Sequence, residues 1–168
     1  MNPPSSTSGG AVLDTLTLAM RGVGSPRNNG GSEIAKTRWD AVVDFSGQNH
    51  AQIEHIVSNC EFDHYTFLSS SAVDLATPGD PFFSMAQNKL WCEHLIAKYT
   101  KNLLIIRSGF VVGPHDYTNR FQKNEVTWHW RGTQNPVRPV VEVELLVNMM
   151  LQLLELGQTG IVRAGYGI

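Results

Sequence analysis

Three consecutive serines, Ser69, Ser70 and Ser71, close the apolar run YTFLS, and the helical stretch SMAQNKLWCE that follows carries Lys89 near its start. Serine hydroxyls compete for backbone hydrogen bonds and make a turn on their own account. In an open parallel sheet the same strand exit is also where ligands bind. Two other apolar runs end in similar residues: VVDFSG in Phe45, Ser46 and Gly47, and IIRSGFVVGP in Ser108, Gly109, Phe110 and Val111. Glycine and serine at a strand exit let a ligand approach the backbone closely, although βα turns favour both residues for reasons of their own geometry. Any one of the three reads as a turn; the ordered set points to a ligand-binding edge. The loop HDYTNR, with His115, Asp116 and Arg120, offers polar groups for a substrate or for its own backbone.

These residues need a scaffold, and the hydrophobic pattern describes one. DAVVDF reads as a short buried strand and AQIEHIVSN as a helix with Ile53, Ile56 and Val57 on one face. YTFLS is a second strand, SSAVDLATPGDP a loop, and Phe82 to Tyr99 a long helix with Pro81 at its start, where a missing N–H costs little. LLIIR is a third strand, GFVVGPHDYTNRF a long loop and EVTWHW a further strand with alternating tryptophans. VEVELLVNMMLQLLEL is a helix with a continuous apolar stripe capped by Gly157, and TGIVRAG is the last strand. Strands that are apolar without alternation, separated by helices, belong to a parallel sheet covered on both faces. The fold class is therefore α/β. Residues 1–37 are mostly loop composition, with PPSSTSGG and GVGSPRNNGG around LDTLTLAM, and form a poorly specified segment ahead of a domain over 38–168.

The chain of 168 residues, 42% of them hydrophobic, is long enough for one domain with its own core. A net charge of −2 provides no field to collect nucleic acid or an anionic membrane, so neither is expected as a partner. Cys60 and Cys92 lack metal-ligand spacing, no metal site is expected, and MNPPSSTSGG has neither the basic start nor the apolar core of a signal peptide. A reduced, cytoplasmic protein is the expectation. The most apolar stretch, Leu145 to Leu156, is interrupted by Asn148, Gln152 and Glu155.

In order, the motifs WDAVVDFSG, YTFLSSSAV, NKLWCE, IIRSGFVVGPHDYTNRF, PVRPVVEVELLV and TGIVRAG resemble the NAD(P)-dependent epimerase/dehydratase group of the extended and atypical short-chain dehydrogenase/reductase superfamily. The resemblance covers roughly three quarters of the chain as an ordered motif set. It implies a Rossmann-like, doubly wound parallel sheet and NAD or NADP as cofactor. It also implies a small hydroxylated substrate such as a sugar nucleotide, and homo-oligomerisation through the Phe82–Tyr99 helix. By the same resemblance Phe45, Ser46, Gly47, Ser69, Ser108, Gly109, Phe110 and Val111 line the dinucleotide. Ser70 takes the catalytic Ser/Thr position, and Lys89 is the lysine that bonds the nicotinamide ribose and activates a tyrosine one helical turn earlier. His115, Asp116, Arg120 and Arg138 fall where substrate is contacted, and Arg21 in MRG matches a residue that reads an NADP phosphate.

Two departures qualify what the resemblance implies. The residue four before Lys89 is Met85, which has no proton to give, whereas a phenol near pKa 10 can be drawn toward neutrality by a lysine. No GxxGxxG turn precedes WDAVVDF, and that turn supplies the N–H groups that hold a pyrophosphate. The N-terminal βα unit of the family is missing from the pattern. The expected function is an epimerase/dehydratase-like oxidoreductase that is truncated and catalytically impaired, with weak cofactor binding. The alternative is a non-catalytic scaffold or a ligand- or partner-binding remnant of that family.

Overall fold

A computed structural model describes residues 38–114, 121–123, 128–130 and 139–165. At its centre is a four-stranded parallel sheet in the order β1-β2-β3-β8. Its strands are β1 (Arg38–Asp44), β2 (Glu61–Ser70), β3 (Leu103–Ser108) and β8 (Gly160–Ala164). The register pairs Val42 with Tyr65, Phe67 with Ile105, and Ile105 with Ile161. This is the Rossmann-like α/β architecture expected from the apolar strand–helix alternation.

Helix α1 (His50–Asn59) starts where Asn49 accepts the N–H of Gln52, while the Gln52 side chain accepts the N–H of Gln48. This is a variant of the reciprocal capping box, which satisfies donors that the first turn leaves open. α1 buries Ile53 and Val57. Helix α3 (Phe83–Tyr99) is entered through Asp80, whose carboxylate and carbonyl accept the N–H groups of Phe82 and Phe83. α1 and α3 share one face of the sheet, where Ile53, Val57, Cys92, Leu95 and Ile96 pack on Tyr65, Phe67, Leu103 and Ile105.

The other face is covered by α4 (Val143–Glu155), whose Leu146 and Met150 pack on Leu104, Ile106 and Ala164. α4 ends in a complete Schellman motif. Gly157 sits at φ +61, its N–H bonds the carbonyl of Leu154, and the N–H of Gln158 bonds that of Leu153. The strand order advances in one direction while the covering helix changes face. The third crossover therefore has the opposite hand to the first two, an unusual arrangement for parallel strands.

β2 begins at Glu61, four residues before the expected YTFLS, and four other segments differ from the sequence expectation. DAVVDF is not a fully buried strand: β1 begins at Arg38, ends at Asp44, and is half exposed along most of its length, because it lies at a sheet edge among the described strands. The serine-rich loop contains a one-turn helix, α2 (Ala72–Leu75). Within the long loop after β3, β4 (Phe110–Val112) pairs in parallel with β7 (Val140–Glu142). Val141 and Glu142 thus belong to a strand, and the last helix starts after them. β5 (Phe121–Lys123) and β6 (Trp128–Trp130) form a separate antiparallel pair, the latter within the predicted EVTWHW strand. The predicted N-terminal strand LDTLTLAM lies outside the described residues.

Candidate functional site at the strand exits

β1, β2 and β3 run in parallel, so their C-terminal ends bring DFSG, LSSS and RSG to one edge of the sheet. At the β1 exit, Asp44 is buried and organises the turn. Its Oδ1 accepts the N–H of Ser46 at 2.8 Å, that of Gly47 at 2.9 Å, and the Ser46 hydroxyl at 3.2 Å. Its Oδ2 accepts the phenol of Tyr65 at 2.9 Å. Gly47 is a close-approach residue, since a Cβ would overlap Ile53 Cδ1 and crowd Asp44 and Phe67. Phe45 and Ser46 are exposed, while Gly47 is buried.

Lys89 reaches this edge from α3 and is 6% exposed. Its ammonium donates to the carbonyls of Gly47 at 2.7 Å and Leu68 at 2.9 Å, and lies 4.7 Å from the centre of the Phe67 ring. It ties the β1 exit to the β2 exit. Burial pushes the Lys89 ammonium below the usual lysine value, and the charge of Asp44 opposes that shift. Met85, one turn earlier on α3, is half-buried. Two described tyrosines come into question as a proton donor. Tyr65 is fully buried and its phenol is pushed above the ordinary tyrosine range, first by burial and then by the Asp44 charge, the reverse of what a proton-transferring phenol needs. Tyr99 ends α3 at the far side of the sheet, its hydroxyl 3.3 Å from that of Ser58.

At the β2 exit, Ser69 is buried and its hydroxyl donates to Glu93 Oε1 at 2.5 Å. Ser70 is half-buried, and its Oγ accepts the N–H of Ala72 at 3.2 Å. Glu93 also accepts two hydrogen bonds from Arg107, Nε to Oε1 at 3.1 Å and Nη2 to Oε2 at 2.6 Å. The remaining arm of Arg107 reaches Asp74 at 2.5 Å, and Asp74 is shared with Arg163. Burial alone would raise the Asp74 carboxyl, but the hydrogen bond from Arg163 and the charge of Arg107 outweigh it and hold it below the usual carboxylate range.

At the β3 exit, the Ser108 hydroxyl donates to the Ser69 carbonyl at 3.4 Å. Gly109 is a close-approach residue: its N–H bonds the Ala164 carbonyl, and a Cβ would overlap the carbonyl of Pro139. Phe110 stacks edge-on against Phe82 and packs beside Phe121, and Val111 packs against the core beneath α4.

The fold thus brings Phe45, Ser46, Gly47, Ser69, Ser70, Lys89, Ser108 and Gly109 to one edge. His115, Asp116, Arg120, Arg138 and Arg21 lie outside the described residues. Sequence reasoning missed Asp44, Glu93, Arg107 and Asp74. One signal was present: Arg107 interrupts the apolar strand LLIIRS, and a charge in a strand buried along all six residues demands a partner. A groove of about 240 Å³, lined by Arg38, Cys60, Phe62, Asp63 and Tyr99 among others, opens at the opposite end of the sheet and contains none of the candidate residues. Among the described residues no cluster of three or more His, Cys, Asp or Glu could hold a metal ion, and no helix is long and apolar enough to cross a membrane. No protein-family model, no curated protein and no solved structure matches the chain.

Proposed function

We propose that this chain is a Rossmann-like core of the NAD(P)-dependent epimerase/dehydratase type, whose strand-exit edge accepts the ribose–nicotinamide half of a dinucleotide weakly and does not turn it over. The observation that carries this reading is the position of Lys89. Its ammonium bridges the β1 and β2 exits beside Ser69 and Ser70, and Met85 stands one turn before it. An ammonium has three N–H donors, and two are engaged by Gly47 and Leu68, so one is left among the described residues for a ribose hydroxyl.

The same geometry accounts for impairment. The lysine that would activate a phenol has methionine four residues before it, and a thioether neither gives nor takes a proton. The N–H groups of Ser46 and Gly47 are occupied by Asp44, so the β1 turn has no such donors to offer a pyrophosphate. The second reading, a non-catalytic scaffold, is favoured by the burial of Lys89 and by its two backbone acceptors, which suit a structural tie.

Calorimetric titration with NAD⁺ and NADP⁺ separates the two. The dinucleotide reading expects millimolar binding, about 4 kcal/mol, weakened further in Lys89→Met. Absence of binding at saturating millimolar concentrations supports the scaffold. Micromolar affinity, or cofactor-dependent turnover abolished by Lys89→Ala and Ser70→Ala, overturns the claim of impairment.

A further inference from the structure

We infer that Arg107 is the positioning residue of the Ser70 turn, acting through Glu93 and Asp74. Ser70 and Ser71 lie between Ser69 and Asp74, and both of these flanking side chains are tied to a single ion pair. The Ser69 hydroxyl is held by Glu93, Asp74 is held by Arg107 from the buried side and by Arg163 from the exposed side, and Glu93 and Arg107 are joined by two hydrogen bonds. The turn is therefore gripped at its start and its end by one guanidinium–carboxylate unit that is 9% exposed at Arg107 and 2% at Glu93. Within the turn, the N–H of Ser71 bonds the Ser108 carbonyl at 2.7 Å and that of Ala72 bonds the Ser70 hydroxyl, which orients that hydroxyl.

The turn does not hold itself. α2 is a single turn of four residues, too short to be stable from its own hydrogen bonds, and Ser71 makes no side-chain cap. Arg107 can grip two carboxylates on two elements because its donors form a planar fork; a lysine at that position presents a point charge and cannot span both. Stability alone is a poor reason for such a pair, because a buried ion pair can often be exchanged for apolar residues of similar volume without loss. What an apolar pair cannot supply is an arm for Asp74 and an acceptor for the Ser69 hydroxyl. The consequence for a ligand at this edge rests on the dinucleotide reading above; the positional claim does not.

The test compares the full chain with Glu93→Leu/Arg107→Met and with Arg107→Lys, by urea unfolding and by amide hydrogen exchange. In the double variant, exchange at residues 71–76 is expected to speed up about tenfold or more relative to the sheet strands, and Arg107→Lys is expected not to restore protection. Unchanged protection in the double variant, or loss spread evenly over the sheet, overturns the inference. If the double variant does not fold, Asp74→Asn and Arg163→Met together decide: faster exchange confined to the turn in Asp74→Asn but not in Arg163→Met supports the inference, and unchanged exchange in Asp74→Asn, or an equal loss in Arg163→Met, overturns it. A parallel NAD⁺ titration keeps the two claims apart. No binding by the unaltered chain removes the dinucleotide reading, while the exchange result still decides the role of Arg107.

Discussion

The phenol of Tyr65 donates to Asp44 Oδ2 at 2.9 Å, and the other oxygen of that carboxylate accepts the N–H groups of Ser46 and Gly47. One buried carboxylate thus joins the middle of β2 to the turn that leaves β1. The pair has a pH consequence. The folded-state pKa of Tyr65 is raised above its unfolded value near 10, so the folded state holds the proton more tightly than the unfolded chain does. Its contribution to stability is fully present below that value and is lost as pH rises above it. Of the four tyrosines in the chain, Tyr65 is expected to resist phenolate formation until the protein unfolds in alkali. Tyr65→Phe should flatten the alkaline loss while lowering neutral stability by about 1–3 kcal/mol, since Asp44 Oδ2 loses its donor. Phenolate absorbance followed against pH, together with urea unfolding, checks both; ready titration of all tyrosines in the folded protein would refute the first.

Lys89→Met keeps the length of the side chain and removes its hydrogen bonds to Gly47 and Leu68. Two carbonyls at the strand exits lose a charged donor, while the cost of burying an ammonium disappears with it. A net destabilisation of about 1–3 kcal/mol is expected, measured by urea unfolding. A variant at least as stable as the unaltered chain would mean that the tie between the two exits contributes nothing.

Alanine at the two close-approach glycines should rank by what the new Cβ meets. At Gly47 it meets side chains only, overlapping the end of Ile53 and crowding Asp44 and Phe67, which can shift at a cost of about 1–3 kcal/mol. At Gly109 it overlaps the backbone carbonyl of Pro139, which also accepts the N–H of Phe110 and so holds β4 to β7. Gly109→Ala is expected to be the more damaging, with the loss centred on β4 and β7. Thermal melts of the two variants give the order, and the reverse order would show that the Pro139 segment yields easily.

Met85→Tyr places a phenol one turn before Lys89 and addresses only the proton. General acid–base catalysis contributes about a hundredfold to ten-thousandfold, but this applies only to bound cofactor. Because residues 1–37 carry no GxxGxxG motif, Met85→Tyr alone is expected to leave cofactor-dependent turnover of this chain at background. Turnover by that variant with NAD⁺ or NADP⁺ would show that the strand-exit edge binds cofactor well enough without such a motif.

What was legible in the sequence follows from local rules. α1, α3 and α4 announce themselves through helical periodicity and their terminal signals, and Gly157 caps α4 because only a residue tolerant of positive φ fits there. The second half of β2 (YTFLS), β3 and β8 are short runs rich in apolar residues and bounded by Ser or Gly, and such runs separated by helices lead to a parallel sheet with its exits on one edge. The gathering of Gly47, Ser69, Ser70 and Ser108 at that edge could therefore be read from the pattern, whereas Lys89 was expected there only from the family resemblance.

The remaining features depend on long-range partners. Val141 and Glu142 look helical beside VELLVNMM, but the pairing of Val140–Glu142 with Phe110–Val112 makes them strand, and so short a segment carries too little local preference to resist that pairing. Glu93 sits four residues after Lys89, which suggests a pair along the helix. The packing of α3 on the sheet turns it to Ser69 and Arg107 instead, because a carboxylate facing a buried strand must take the donors that the strand presents. Periodicity along the chain determined the strands of the main sheet, the three long helices and the edge where the strand exits meet. The assignment of each buried charge was decided only by tertiary packing, since hydrogen-bond partners inside a protein are chosen by proximity across elements and not by spacing within one.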